Sequence, residues 1–271
     1  MAMDLKRTET HLRRARIRAE GVAVEISKKF RAQAIVDAYG KRIRGVELLS
    51  RKWLQFNETE GMLRVDIDAM NAASMLVRSN AYETVHVNAE PTSMIRSEWM
   101  EAMAFGAKEG LVIEIVERNN ILMNKLIMGQ MESVVDLVRH CGGQIALDDA
   151  TFTDQTIFIV ETLRPEIIKI ERPEYIAPFK AFTNATFVVE RVETLQQADI
   201  ARRAGADLLQ GYYCDIEVEK AIPVALTPPG VVARSQAQTQ AQFLGGIFSQ
   251  HTSEWNSAQG HGRSFDKVMA A

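Results

Sequence analysis

From about residue 30 to residue 225 the chain alternates between two kinds of segment, and this alternation constrains its fold most. Short apolar runs, often β-branched, recur as Ala34–Val36, Thr84–Val87, Leu111–Ile113, Gln144–Leu147, Ile167–Ile168 and Thr186–Val189. Each has the length of a buried strand. Longer stretches with helical spacing lie between them: Met62–Val77, Glu98–Ala107, Met123–Arg139 and Thr194–Ala204. Around the third, Leu122, Leu126, Met131, Val135 and Leu137-Val138 fall near i, i+3, i+4 positions, as an amphipathic helix requires. Thr194 with Gln197 reads as a capping box opening the helix before Gly205. Strand and helix alternating about seven times predict an α/β fold, a parallel sheet covered by helices. A doubly wound sheet and a barrel both fit, and the length of the region suits one (β/α)8-type barrel.

Composition settles what surrounds that region. The chain has 271 residues, 46% hydrophobic and 25% charged, which excludes wholesale disorder. A net charge of −3 gives no general reason to expect nucleic-acid binding. No uncharged apolar run approaches the ~18 residues that span a bilayer. The opening Met1-Ala-Met-Asp-Leu-Lys-Arg7 lacks the apolar core of a secretory signal, and two cysteines suit a reducing compartment, so a cytoplasmic protein is expected. Residues 1–28 form a basic N-terminal segment. Nine cations face four anions over residues 1–31, which suits a solvated helix or a contact with an anionic partner. Thr227-Pro-Pro-Gly230 breaks any continuing element, and residues 226–271 read as a flexible tail with one apolar patch. The barrel is therefore expected over residues 29–225.

The polar residues at the ends of these apolar runs carry the chemistry. The successive runs end at Glu47, Asn88, Glu114, Asp148-Asp149, Lys169, Glu190 and Gln210, at separations that fit one strand-plus-helix unit each. In a parallel barrel the carboxyl ends of the strands share one face, so these groups converge on one mouth. Any one of them alone would read as a helix cap or a salt-bridge partner. Together, acids that repel one another need cations. An all-oxygen set without His or Cys is hard-ligand chemistry, suited to Mg²⁺ or Mn²⁺ rather than zinc. Two such ions ~3.5–4 Å apart can activate a bridging water for phosphodiester hydrolysis. Glu190 is the candidate to take the water's proton, and Lys169 to orient the water or stabilise charge.

With these residues in view, the region from Gln33 to Tyr213 resembles the EAL-domain cyclic-di-GMP phosphodiesterases. Gly45-Val-Glu-Leu-Leu-Ser-Arg51 resembles the ExLxR signature, with Leu48 in place of the usual alanine. His86-Val-Asn-Ala-Glu-Pro91 resembles N-x-S-P, Glu114-Ile-Val-Glu117 E-x-T-E, and Ala146-Leu-Asp-Asp149 the D-D strand end. Ile168-Lys-Ile-Glu171 resembles K-I-D, Val189-Glu-Arg-Val-Glu193 A-E-G-V-E, and Gln210-Gly-Tyr212 matches Q-G-Y. The resemblance implies a modified TIM (β/α)8 barrel of EAL type, its first strand antiparallel. It implies two Mg²⁺ or Mn²⁺ ions per site on Glu47, Asn88, Glu114, Asp148 and Asp149. Lys169 then stands at the nucleophilic water and Glu190 is the general base. Glu193 and Gln210 complete the site, Gln33 and Arg51 meet the substrate, Arg51 as a guanidinium fork on phosphate, and Glu117 anchors a loop. The implied reaction converts cyclic-di-GMP to pGpG, with a homodimer and a protein partner on either terminal segment as further expectations.

The departures from the pattern support an alternative, an inactive EAL domain acting as a cyclic-di-GMP receptor or protein-interaction regulator. A barrel enzyme acting on another phosphate ester is a third option. After Asp148-Asp149 the usual F-G-T-G is Ala150-Thr-Phe-Thr153. If those glycines use positive φ, Thr151 and Thr153 cannot take the same path without strain. Arg191 replaces the glycine beside the base, either to pair with a metal-ligating acid or to point away. Ala34 replaces a proline, and Cys214-Asp-Ile-Glu-Val-Glu-Lys220 replaces a short turn, both where the resemblance places guanine contacts. The remaining notable residues read as packing. His86 is expected to be a satisfied barrel histidine and Cys141 structural. Trp53 and Trp99 are expected between helix and barrel, with a place lining the mouth close to Arg51 as the alternative for Trp53. Met62, Met70, Met75, Met100, Met103, Met123, Met128 and Met131 are expected as core filler.

Overall fold

A computed structural model describes residues 26, 28–39, 42–51, 59–78, 82–116 and 119–215. The chain divides into two units, Met1–Leu226 and Thr227–Ala271, and all described residues lie in the first. The expectations for residues 1–25, for Trp53, for Glu117 and for the tail therefore fall outside the described residues.

Eight strands close into one barrel in sequence order. They are β1 Phe30–Asp37, β2 Ile43–Ser50, β3 Thr84–Ala89, β4 Leu111–Val116, β5 Gln144–Asp148, β6 Ile167–Ile170, β7 Thr186–Val189 and β8 Leu208–Gln210. Strand β1 runs antiparallel to both β2 and β8, and every other neighbouring pair is parallel. Of the two architectures the alternation allows, the closed one is present.

Period-2 alternation positions the site. Ile35, Val112, Ala146, Ile167 and Val188 pack together as an apolar plug, with Leu208 against it. Two residues further along each parallel strand, on the same face, comes a polar group: Glu114 after Val112, Asp148 after Ala146, Lys169 after Ile167, Glu190 after Val188 and Gln210 after Leu208. Because β1 runs the other way, Gln33 precedes Ile35 and reaches the same mouth. The apolar strand residues thus close one end of the barrel and hold the polar ones at the other.

The helices obey their buried faces. Helix Thr59–Arg78 buries Leu63, Asp66, Ala69, Met70, Ala73, Leu76 and Val77. Helix Lys125–His140 starts two residues later than its periodicity suggests, because the Asn124 side chain accepts from the Leu126 and Ile127 N–H groups. Leu126, expected on its apolar face, is 81% exposed in the first turn, and Met75 and Met123 are also exposed rather than core. Met70, Met103, Met128, Met131 and Trp99 are buried as expected. Helix Leu195–Ala204 has the Thr194–Gln197 capping box and ends on Gly205 in the left-handed region at φ 91°.

The segment 150–153 takes an unstrained route. Thr153 has φ −132° and its side chain accepts from Thr156 N–H, so it caps helix Asp154–Leu163. Among residues 148–153 only Asp149 has positive φ, at 50°. The strain expected of Thr151 and Thr153 does not arise, because the hydroxyl of Thr153 opens a helix instead of tracing a glycine path. Phe152 then packs edge-on against buried Phe179, ring centres 5.1 Å apart.

Asp66 gives the fold a pH dependence. Its carboxylate accepts from Glu90 N–H at 3.2 Å, at the head of helix Pro91–Met94. Burial pushes its carboxyl from the ordinary 3.8 up to about 7, against hydrogen bonds from Ser93 and Glu90 N–H, and the Glu90 charge adds to the rise. The native state therefore holds this proton more tightly than the unfolded chain, so stability is full below pH ~4 and falls as pH rises through 7. Asp66→Asn keeps an acceptor for the Glu90 N–H without the buried charge. It should raise stability by roughly 1–3 kcal/mol at pH 8 and change little at pH 4, read from thermal melts. The same shift at both pH values would show that Asp66 does not carry this dependence.

Candidate active site

Lys169 organises the mouth. Its side chain is almost fully buried, and its Nζ donates to Glu47 Oε2 at 3.1 Å and to Glu114 Oε2 at 2.8 Å. It also pairs with Asp148 Oδ1 and Glu190 Oε1, each at 2.9 Å. Carboxylates from β2, β4, the end of β5 and the residue after β7 thus surround one ammonium from β6. Asn88 Nδ2 and Gln210 Nε2 both donate to Glu47, and Gln210 also donates to Gln33 Oε1 at 3.1 Å. The register explains the reach: Gln33 lies opposite Glu47, and Asn88 opposite Glu114.

The electrostatics are those of crowded acids short of positive charge. Burial alone would raise Glu47, yet Lys169 and the hydrogen bonds from Gln210 and Asn88 bring it down to about 2. Burial and the charge of Glu47 hold Glu114 well above the usual carboxylate range, with Lys169 opposing. Asp148 is raised by burial against the pull of Lys169. Glu190 is pushed up to about 8, chiefly by burial, again with Lys169 opposing. Lys169, which burial would lower, is held well above its ordinary value by Glu114, Glu47, Asp148 and Glu190. Beneath Glu114, His86 is lowered to about 3 by burial and by Lys169, so it is a neutral imidazole.

Of the residues expected at the site, Gln33, Glu47, Asn88, Glu114, Asp148, Lys169, Glu190 and Gln210 come together. Asp149 is exposed, and its charge reaches Asp148 without joining the ring around Lys169. Glu193 is exposed too, and its N–H donates to Gln197 Oε1 at 2.8 Å as part of the helix cap. Arg51 lies just past β2, its Nε 3.3 Å from the Phe30 carbonyl oxygen. Arg191 resolves in favour of pointing away: its guanidinium is 72% exposed and pairs with Glu171 at 2.8 Å. Its backbone nonetheless sits at φ 51°, so Arg191 occupies a glycine-like conformation at the position where the family pattern has glycine.

Two contacts have no sequence signal. Ala34 N–H donates to Asp215 Oδ1 at 3.3 Å, joining residues 181 apart in the chain. This bond needs the N–H that a proline at position 34 would lack. His86 Nδ1 lies 2.7 Å from Glu114 Oε1, a bond to which strand alternation alone does not point.

No protein-family model and no curated protein matches the sequence. Solved structures do match by shape. The calcium and cyclic-di-GMP complex of Klebsiella pneumoniae BlrP1 aligns at 19% identity and TM-score 0.54 over 68% of this chain and 54% of that one. This chain thus spans about half the length of the BlrP1 chain. The PaMucR phosphodiesterase in complex with c-di-GMP aligns at 18% identity and TM-score 0.58, over 68% and 93% of the two chains. The EAL domain of Mycobacterium smegmatis DcpA aligns at 17% identity and TM-score 0.58, over 80% and 96%. With the antiparallel first strand and the order of its eight strands, the chain folds as a modified TIM barrel of the EAL type.

Proposed function

We propose that this chain is a metal-dependent phosphodiesterase that hydrolyses cyclic-di-GMP to pGpG. The observation that carries this is the charge imbalance at the mouth, where four buried or largely buried carboxylates face one ammonium. Glu190 Oε2 is buried without a hydrogen-bond partner, and so is Asp148 Oδ1 apart from its ion pair with Lys169. Such oxygens fit hard divalent cations, Mg²⁺ or Mn²⁺, in chemistry and in charge. Glu47, Asn88, Glu114, Asp148 and Asp149 would hold two of them, and the bound ions would supply an acidified water and neutralise phosphate charge. Glu190, made avid for a proton by burial, would be the group to accept one from such a water. Lys169 Nζ, fixed by its four partners, holds charge at the reacting phosphate. Arg51 offers a guanidinium fork to a second phosphate oxygen, and Gln33 and Gln210 line the same mouth. Glu193, exposed at the head of the following helix, would complete the site.

A receptor without turnover is favoured by one specific feature. The carboxylates of Glu47, Glu114, Asp148 and Glu190 close on the Lys169 ammonium, which already gives them a cation. Purified protein with Mg²⁺ or Mn²⁺ should convert cyclic-di-GMP to pGpG, and Glu190→Gln should lower the rate by about 10²-fold or more. A flat time course at high protein concentration with both metals decides against the enzyme. Calorimetric binding of the dinucleotide without turnover then supports the receptor. A cytoplasmic location, a homodimer and partner contacts through residues 1–28 or 226–271 belong to the same proposal.

A further inference from the structure

A buried polar residue lies level with Val112 of the apolar plug in the β3–β4 register. His86 stands opposite Val112, and β5, β6 and β7 carry the plug on through Ala146, Ile167 and Val188. It is 1% exposed. Nothing in barrel packing asks for an imidazole there, and burying one without partners costs free energy. Its partners are present on both sides. Nδ1 lies 2.7 Å from Glu114 Oε1, and Nε2 lies 3.1 Å from Thr84 Oγ1, two residues back on the same strand. Room for that hydroxyl is made on β2: a Cβ at Gly45 would lie 2.1 Å from Thr84 Oγ1. Gly45, Thr84 and His86 therefore form one device aimed at one oxygen of Glu114, while Lys169 takes the other.

We infer that His86 is a positioning residue, whose Nδ1–H fixes the Glu114 carboxylate for cation binding and whose ring is seated by the Thr84 hydroxyl. This rests on the reading of Glu114 as a metal ligand. A carboxylate held by a cation has no proton to give, so the bond must be donated by Nδ1–H. Bare Nε2 then accepts the single Thr84 proton, in preference to the Arg44 carbonyl oxygen at 3.4 Å. Carboxylate ligands oriented from behind in this way lose about 10–100-fold in metal affinity when the orienting partner is removed.

The test uses the full chain and needs no turnover. Nitrogen NMR of the histidines with Mg²⁺ present should show His86 as the Nδ1–H tautomer. An Nε2–H tautomer overturns the inference without any variant. Titration calorimetry with Mn²⁺ should show His86→Leu weaker than wild type by about 10–100-fold. His86→Asn, whose Nδ2–H sits where the imidazole Nδ1–H does, should stay within about 3-fold of wild type, outside the loss that removing an orienting partner brings. Should His86→Leu fail to fold, Thr84→Val removes only the seat and should weaken Mn²⁺ in the same direction. Unchanged affinity in both apolar variants overturns the inference and leaves the proposed function standing. Wild-type protein that takes up neither Mn²⁺ nor Mg²⁺ overturns the function instead, and with it the role given to His86.

Discussion

Lys169→Met should destabilise the protein by about 3–5 kcal/mol near pH 7.5, the cost of leaving buried charges without their partner. In a domain of this size that corresponds to a fall of roughly 6–20 °C in melting temperature. The reason is the arrangement around Nζ, where Glu47, Glu114, Asp148 and Glu190 all lie within 3.1 Å of one cation. With the cation present, Glu47 sits at about 2, below the ordinary 4.5, so its contribution is full above pH 4.5 and disappears as pH falls toward 2. Without it, burial acts unopposed and the acids bind protons more tightly than in the unfolded chain. The sign then reverses: the variant should be closest to wild type near pH 5 and lose stability as pH rises. Millimolar Mn²⁺ should restore part of the loss, by about 2.7 kcal/mol at a hundred times its dissociation constant. A variant that melts within about 2 °C of wild type from pH 5 to 8 would show that the four acids do not share one cation, since even 1 kcal/mol moves a domain of this size by about that much.

Gly211→Ala should cost at least about 4 kcal/mol, a large part of the stability of an ordinary domain. Gly211 has φ 144°, where side chains are strongly disfavoured. A Cβ there would lie 2.4 Å from Val192 N and 2.5 Å from Val192 O. Those atoms cannot retreat cheaply, because Val192 N–H donates to the Gln210 carbonyl and Val192 O accepts from Tyr213 N–H. The middle residue of Gln210-Gly-Tyr212 is therefore required by a backbone crossing that also sets Gln210 against Glu47. Gly129→Ala is the matched control: it lies inside helix Lys125–His140 with nothing within 4 Å of its Cβ. That change should stabilise by about 0.5–1 kcal/mol. Chemical denaturation of both variants checks the pair, and a Gly211→Ala protein as stable as wild type would mean the crossing is looser than it stands.

Much of the site is legible in the sequence because it depends on a short-range rule. Strands β4 to β8 each place one polar residue two positions beyond an apolar one, so strand ends alone point to Glu114, Asp148, Lys169, Glu190 and Gln210. The capping box at Thr194 is legible for the same reason, since its hydrogen bonds span three residues. Leu126 departs from its expected place because helical periodicity is a weak guide in a first turn, where the Asn124 cap decides which side chains turn outward. At Thr153 the analogy to a glycine loop misleads, although its hydroxyl three residues before Thr156 carries the signal of a helix cap.

The order of apolar and polar residues by itself determined that this chain alternates strand and helix, and that Glu47, Asn88, Glu114, Asp148, Lys169, Glu190 and Gln210 share one end of the sheet. Pleat and helix periodicities are local, so sequence spacing suffices for them. Only the tertiary structure decided that four acids close on the Lys169 ammonium, that Arg191 turns to Glu171, and that His86 backs Glu114. Those are contacts between side chains on different elements, and which oxygen faces which nitrogen depends on barrel register and burial, which no spacing along the chain specifies.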